Sequence, residues 1–302
     1  MKHVYAVDIG GSSIKYGLFD EAGTLIRRWK EKITAQDGPE AVMKAVAATI
    51  QAQDEAPNAV SVGVPGPVDD DRLVFAPNLG WRDVDVIGWL RASLGDGVRY
   101  RLENDANLAA LGEALHVTTR GTVVFFALGT GIGGGIVSSG KILRGYHGMA
   151  GEFGHLHVSS LELPCGCGLS GHLETVASAR GIKQLARHFI KNGDVRTSLT
   201  RIISAKQVMD AAHKGDALAL KVIDEAALAL AKAVRMVALV IDPDAVVFGG
   251  GVADAGAFFI DQIRAHYEVL NRGIVVPISF VQAKHGQNAQ LYGAYARAMD
   301  DD

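Results

Sequence analysis

The chain has 302 residues, 48% of them apolar and 21% charged, with 30 basic against 33 acidic side chains. That length is enough for two ordinary domains with their own cores, and a formal charge of −3 excludes the basic excess that nucleic-acid binders gather on one face. Two cysteines exclude a disulfide framework, and no apolar run reaches the roughly 18–20 residues that span a bilayer. The opening MKHVYAVDIGG lacks a charged-then-apolar leader. A cytoplasmic enzyme with no membrane or nucleic-acid partner is expected.

Taken in chain order, alternating apolar residues predict strands over His3–Asp8, Ile14–Asp20 and Thr24–Ile33, the last after a Glu21-Ala22-Gly23 turn. Helical spacing of Ala41, Val42, Ala45, Val46 and Ile50 predicts a helix over Pro39–Gln53. A buried strand over Ala59–Val64 runs into Pro65-Gly66-Pro67, and another, Val98–Leu102, ends at Glu103-Asn104-Asp105 before a helix over Ala106–Leu115. The first half therefore reads β-β-β-α-β-α-β-α.

The second half starts with strands over Thr122–Leu128, Gly135–Ser138 and Lys141–Leu143. Helices follow over Ala179–Ile190, Ala205–His213 and Asp216–Ile241, then strand Ala245–Phe248, helix Ala257–Leu270, strand Val275–Val281 and helix Ala289–Ala298. No identity between the halves is visible; the shared order of elements is the repeat. Two α/β lobes in tandem, each with glycine turns, predict a cleft between domains.

The 36 glycines cluster in these turns. Asp8-Ile9-Gly10-Gly11-Ser12-Ser13 lies between two strands, so it fits neither a Walker loop nor a dinucleotide fingerprint. It offers a carboxylate at a strand end, free backbone N–H groups and two hydroxyls, which suit phosphate and, at Asp8, a hydrated magnesium ion. An ordinary hairpin with small residues at its tip is the plainer reading. Gly129-Thr130-Gly131-Ile132-Gly133-Gly134-Gly135 repeats the arrangement, and five glycines in seven positions suggest side chains excluded by a ligand. Gly249-Gly250-Gly251 follows a buried strand, where a base or ribose face can approach.

Together these motifs resemble a known superfamily. DIGGSSIK, which includes Lys15, is similar to phosphate-1, LGTGIGGG to phosphate-2 and VVFGGGV to the adenosine motif of the sugar kinase, heat-shock protein and actin fold. With CGCGLSG they resemble the ROK family (repressors, open reading frames and kinases) from end to end. APNLGW and LENDANLAALGEA look most like its glucokinase branch.

The resemblance implies two RNase H-like, actin-like α/β domains with an active-site cleft between them. The smaller would span 1–116 together with the C-terminal helix 288–302, and the larger 117–287. It implies ATP with magnesium as donor, glucose as acceptor, a place in glycolysis and a homodimer. Kinases for N-acetylmannosamine, N-acetylglucosamine, fructose or another hexose would keep the same residues. A sugar-sensing repressor would carry a helix-turn-helix ahead of the first strand, where Asp8 leaves seven residues. A sugar binder without catalysis does not explain Asp105.

Asn104-Asp105 at a strand end suits a helix N-cap, and also places Asp105 to take the proton of an attacking hydroxyl. The two readings are compatible. The resemblance makes Asp105 the base and gives Asn104, Glu152, His155 and Glu174 to the sugar hydroxyls, with Asn78 and a backbone contact from Gly66. Carboxylate, amide and imidazole suit a polyol.

His155, Cys165, Cys167 and His172 fall within eighteen residues at spacings that suit a structural zinc; two buried thiols with no metal are the alternative. The family pattern has a third cysteine where this chain has His172. That substitution leaves His157 as a second candidate for the fourth ligand.

Overall fold

Strand β1 (Val4–Ile9) is buried at all six positions, the signature of a strand covered on both faces. It lies inside the computed structural model of the protein, which describes residues 2–32, 38–193, 195–200, 204–273 and 277–300. The chain divides into two units. Unit 1 comprises 1–116, 141–150 and 287–302, and unit 2 comprises 117–140 and 151–286. The segment 141–150, expected within the second lobe, thus groups with unit 1.

In unit 1, β1 is followed by β2 (Ser13–Phe19), β3 (Leu25–Lys32), α1 (Gly38–Gln51), β4 (Ala59–Val64), β5 (Val68–Asp69), β6 (Arg72–Ala76), β7 (Trp81–Asp85), α2 (Val86–Leu94), β8 (Arg99–Asn104) and α3 (Asp105–Val117). The main sheet has the order β3-β2-β1-β4-β8. β1–β2 and β2–β3 are antiparallel, whereas β4 and β8 continue parallel to β1. Tyr5, Val7, Ile9, Tyr16 and Leu18 pack under α1 and α2 through Val42, Met43, Val46, Ile87 and Leu90. Val4, Ala6 and Phe19 on the other face meet Leu108 of α3 and Leu291 of the C-terminal helix. A Cβ at Gly112 would strike the Ala289 carbonyl, and one at Gly293 the Leu108 carbonyl. Glycine at both positions lets the two helices cross backbone to backbone.

Unit 2 contains β9 (Thr122–Leu128), β10 (Ile132–Ser138), α4 (Glu174–Ala177), α5 (Ala179–Asn192), α6 (Ala205–His213), α7 (Ala217–Ile241), β12 (Ala245–Gly249), α8 (Ala257–Leu270) and β13 (Ser279–Gln282). The two-residue strand β11 (Lys141–Ile142) opens the segment that groups with unit 1, and α9 (Ala289–Met299) closes the chain there. β9 pairs antiparallel with β10 and parallel with β12, which pairs parallel with β13. This is the hairpin-then-parallel order of unit 1, so one α/β topology occurs twice, as in the RNase H-like halves of the actin-like fold. Phe126 stacks on Phe153 and Phe248 at 4.7 and 5.8 Å between centroids. The long α7 begins where the Asp216 side chain caps the Ala219 N–H.

Most elements fall where periodicity places them, with two corrections. The antiparallel sheet β5-β6-β7 is absent from the sequence reading; its strands are two to five residues long, too short to show alternation. The last strand starts at Ser279, and of its expected range Val275 and Val276 lie outside the described residues, as does Ile33 at the end of the third strand. Among the described residues, no helix is long and apolar enough to cross a membrane.

Candidate active site and metal cluster

The ends of β1, β4 and β8 lie side by side because the three strands run parallel, with Asp8 opposite Gly63, Gly63 opposite Glu103 and Val64 opposite Asn104. The carboxyl ends of such strands are where α/β sheets bind ligands. The register therefore gathers Asp8, the Val64–Gly66 segment and Asn104-Asp105 from distant parts of the sequence.

The β1–β2 turn is closed by Gly10 N–H donating to the Ser13 carbonyl at 2.9 Å, leaving Gly11 and Ser12 exposed. A Cβ at Gly11 would meet only the Asn78 carbonyl, at 3.9 Å, which places the β6–β7 turn beside this tip. Asp8 is buried and pairs through Oδ2 with Lys15 Nζ at 2.9 Å. Oδ1 remains for a water of a hydrated magnesium ion, so the carboxylate fits that role.

Asn104 caps α3: its Oδ1 accepts from the Ala106 and Asn107 N–H groups at 2.9 and 3.1 Å, and its Nδ2 donates to the Gly66 carbonyl at 3.2 Å. The cap is thus Asn104, and Asp105 is the first helical residue. Burial, followed by the charge of Asp8, raises the Asp105 carboxyl to about 7; the Ala106 N–H and Lys15 act against this. A carboxylate poised near neutrality at a strand end matches the requirement on a general base.

In unit 2, the β9–β10 turn is braced by α5, whose Ala179 N–H donates to the Gly129 carbonyl at 2.9 Å. A Cβ at Gly131 would come within 2.8 Å of Glu174 Oε2. A Cβ at Gly134 would strike the Phe153 ring and the Phe125 carbonyl. The glycine run is therefore not explained by a ligand throughout: Gly134 answers to aromatic packing, and Gly129, Thr130, Gly131 and Gly133 stay with the turn and the start of β10. Gly250 has φ +89° and a Cβ there would press on the Leu128 backbone, while the Val252 N–H donates to the Leu128 carbonyl at 3.0 Å. Leu128 thus joins this turn to the β9–β10 turn. Gly251 has open space around it, and Gly249 packs on Phe125.

Glu152 precedes a one-turn 3-10 segment (Phe153–His155) that His155 ends; both are exposed, with Phe153 anchored beneath on Phe126. Glu174 opens α4, and its Oε1 accepts from the Cys165 thiol at 2.9 Å.

The side chains that converge are His155, Cys165, Cys167 and His172, their ligand atoms all within 4.8 Å of one another. Nδ1 to Nδ1 is 3.3 Å, Cys165 Sγ to His155 Nδ1 is 3.8 Å and Cys167 Sγ to His172 Nδ1 is 3.4 Å. A tetrahedral ion with bonds of about 2.0–2.1 Å to nitrogen and 2.3 Å to sulfur separates its ligands by roughly 3.3–3.8 Å. The donor set and its spacing fit such an ion. His157 stands outside the cluster, its ring against Gly171. Both histidines turn Nδ1 inward, so Nε2 of the exposed His155 is left for another partner.

Two participants escaped the sequence reading. Glu103 is fully buried, and Arg144 binds it. A glutamate at the end of an apolar strand, immediately before Asn-Asp, was the available signal.

The ROK family pattern matches residues 4–301, and the chain belongs to that family. It is 35% identical over 281 residues to a glucokinase of Halalkalibacterium halodurans, covering 87% of this chain and 84% of that protein. A ROK family glucokinase from Streptomyces griseus, solved in complex with glucose and AMPPNP, superposes with a TM-score of 0.76 at 32% identity, over 97% of each chain. ROK hexokinase from Thermus thermophilus gives 0.83 at 31% identity, over 98% of this chain and 97% of that one. The chain is accordingly an ATP-dependent sugar kinase of the actin-like fold.

Proposed function

We propose that the protein transfers the γ-phosphoryl group of ATP to glucose, forming glucose 6-phosphate. The observation that carries the reading is Asp105, a carboxyl held near pH 7 at the carboxyl end of a parallel strand and beside a glycine turn of phosphate-binding type. The hydroxyl oxygen of the sugar attacks the γ-phosphorus, the bond to the β,γ-bridging oxygen breaks, and the hydroxyl proton passes to Asp105.

Asn104, Asn78 and the Gly66 backbone act on the sugar from unit 1, and Glu152, His155 and Glu174 from unit 2. For the nucleotide, unit 1 contributes Gly10, Gly11, Ser12, Ser13 and Lys15. Unit 2 contributes Gly129, Thr130, Gly131 and Gly133, with Gly249, Gly250 and Gly251 for the adenosine. Asp8 would hold magnesium, which would supply charge neutralisation at the phosphates. His155, Cys165, Cys167 and His172 would hold zinc, which would fix the segment that carries His155 and leads to Glu174.

The same reading includes a cytoplasmic homodimer working in glycolysis, with the two units acting as the small and large catalytic domains. Sedimentation and cell fractionation test the first two of these. The main test assays ATP with glucose, N-acetylglucosamine, N-acetylmannosamine, mannose and fructose. A higher kcat/KM for any other sugar overturns the choice of glucose. Asp105→Asn is expected to lower kcat by on the order of 10²–10⁴, and turnover close to the parent's removes Asp105 as base.

A further inference from the structure

Arg144 belongs to none of the motifs that the kinase reading uses, yet it reaches two of them. Its guanidinium donates through Nε and Nη2 to Oε2 of the buried Glu103, immediately before Asn104-Asp105. Its carbonyl accepts from the Ala150 N–H at 3.0 Å, immediately before Gly151-Glu152. The second bond closes residues 144–150 into a loop, with Gly145 and Gly148 at φ +73° and +68°, backbone that glycine adopts without strain. Leu143, Tyr146 and Met149 are 46%, 97% and 54% exposed. The loop therefore buries little apolar surface through them, and its anchorage on unit 1 falls to the Arg144 ion pair and to Gly148. A Cβ at Gly148 would lie 3.4 Å from Pro67 Cβ and 3.6 Å from the Val68 carbonyl.

From Glu103 the contacts run round a closed circuit. Glu103 Oε1 accepts from the Asn104 N–H at 3.0 Å, and Asn104 Nδ2 donates to the Gly66 carbonyl at 3.2 Å. Gly66 is bonded to Pro67, which backs Gly148. The Gly148 N–H donates to the Gly145 carbonyl at 3.4 Å, which leads back to Arg144. Asn104, Asp105 and the Gly66 backbone, all assigned above to the reacting sugar, thus depend on one ring of contacts. The chain leaves that ring at Ala150 for Glu152. A buried ion pair is by itself weak evidence for stability, since apolar residues of similar volume often serve as well. Fixing the register of these groups is a use that an apolar pair would not supply.

We propose that Arg144 is a positioning residue for phosphoryl transfer. Through Glu103 and the 144–150 loop it holds the Asn104-Asp105 pair and the Gly66 carbonyl in one arrangement, so that the attacking hydroxyl meets its base. The inference rests on the kinase reading of the same site and adds a residue that acts through others rather than on the reacting atoms. The β1–β2 turn contributes nothing to the ring, so nucleotide binding does not depend on it. A misplacement of about 1 Å from a change outside the chemistry can cost on the order of 10²-fold in rate.

The test compares Arg144→Met, Arg144→Lys and the double variant Arg144→Met, Glu103→Gln. Each is assayed with ATP and the parent's best hexose at a temperature where all are folded, and melted in parallel. Arg144→Met is expected to lower kcat and raise KM for the sugar, with kcat/KM down roughly 10–100-fold and KM for ATP unchanged. Arg144→Lys, which keeps a cation on Glu103 Oε2, should retain more activity. The double variant should regain melting temperature, because no carboxylate is left charged and unpaired, yet keep the low kcat/KM, because the loop stays untethered. Parental kinetics in Arg144→Met, equal rises in KM for ATP and sugar, no difference between the Met and Lys variants, or activity that returns with stability in the double variant overturns the proposal. A parent that turns over no hexose with ATP overturns the kinase reading, and this inference with it.

Discussion

Arg144 places two nitrogens on one oxygen of Glu103: Nε lies 2.7 Å and Nη2 2.6 Å from Oε2. The other oxygen, Oε1, accepts from the Asn104 N–H and from Asn107 Nδ2, both at 3.0 Å. A fully buried carboxylate thus spends four donors immediately before the Asn104-Asp105 pair, tying strand β8, the first turn of α3 and the 141–150 segment together. Removing the guanidinium leaves that charge buried and unpaired, at a cost of about 3–5 kcal/mol in a fully dry site. Arg144 is 39% exposed, and water reduces the cost to about 2 kcal/mol. Arg144→Met should lower the urea midpoint accordingly, and Glu103→Gln in the same chain should restore much of the loss. A double-mutant cycle without coupling between the two residues contradicts the pairing.

The Asp105 carboxyl titrates near 7 in the fold against an ordinary value of 3.8. As a base it must be ionised, so kcat/KM should rise with pH and level off above about 7. Stability runs the other way. The raised carboxyl favours the folded state fully below about pH 4, and that contribution is lost as the pH climbs to about 7. Asp105→Asn, which keeps the shape and removes the charge, should therefore raise the melting temperature at pH 8 and change it little near pH 4. An equal shift at both pH values would show that Asp105 is not the group held protonated.

A Cβ at Gly131 would lie 2.8 Å from Glu174 Oε2, so a side chain there must displace the Glu174 carboxylate. Gly131→Val is expected to move both the turn proposed to bind phosphate and Glu174, the carboxylate proposed to bind the sugar. It should therefore raise KM for ATP and for sugar together, whereas Ser12→Ala, at the exposed tip of the other turn, should affect ATP alone. Calorimetry with each ligand separates the two patterns. Unchanged sugar affinity in Gly131→Val would show that Glu174 takes no part in binding the sugar.

Long, strongly periodic elements were legible because their burial is one-sided or complete: α5, α6 and α8 start where the apolar spacing starts, and β9 spans its expected residues. The β5-β6-β7 sheet was not, because two-residue and five-residue strands leave too few alternations to read. At the site, the sequence pointed to Asp8, Asn104 and Asp105, since strand ends and turns concentrate in short motifs. It did not point to Arg144, whose meaning depends on a buried partner 41 residues away. Nor could spacing choose between His157 and His172; backbone pairing of the two brings them level, and the ring directions decide.

The metal cluster yields the last prediction. Purified from metal-replete cells, the protein should carry one zinc per chain, bound by His155, Cys165, Cys167 and His172. Burial, then the neighbouring Glu174, raises the Cys165 thiol to about 12; a bound cation would hold the thiolate instead. Because a structural metal contributes directly to folding, chelation should lower the melting temperature. Its effect on ligands should be ordered: glucose affinity falls first, since on the proposed reading His155 would hold zinc through Nδ1 and meet the sugar through Nε2, while ATP affinity holds. His172→Ala should lose the metal and His157→Ala should keep it, because only the first ring reaches the cluster. Elemental analysis of parent and variants decides the matter. Less than about 0.2 zinc per chain in the parent, or full zinc content in His172→Ala, would defeat the assignment.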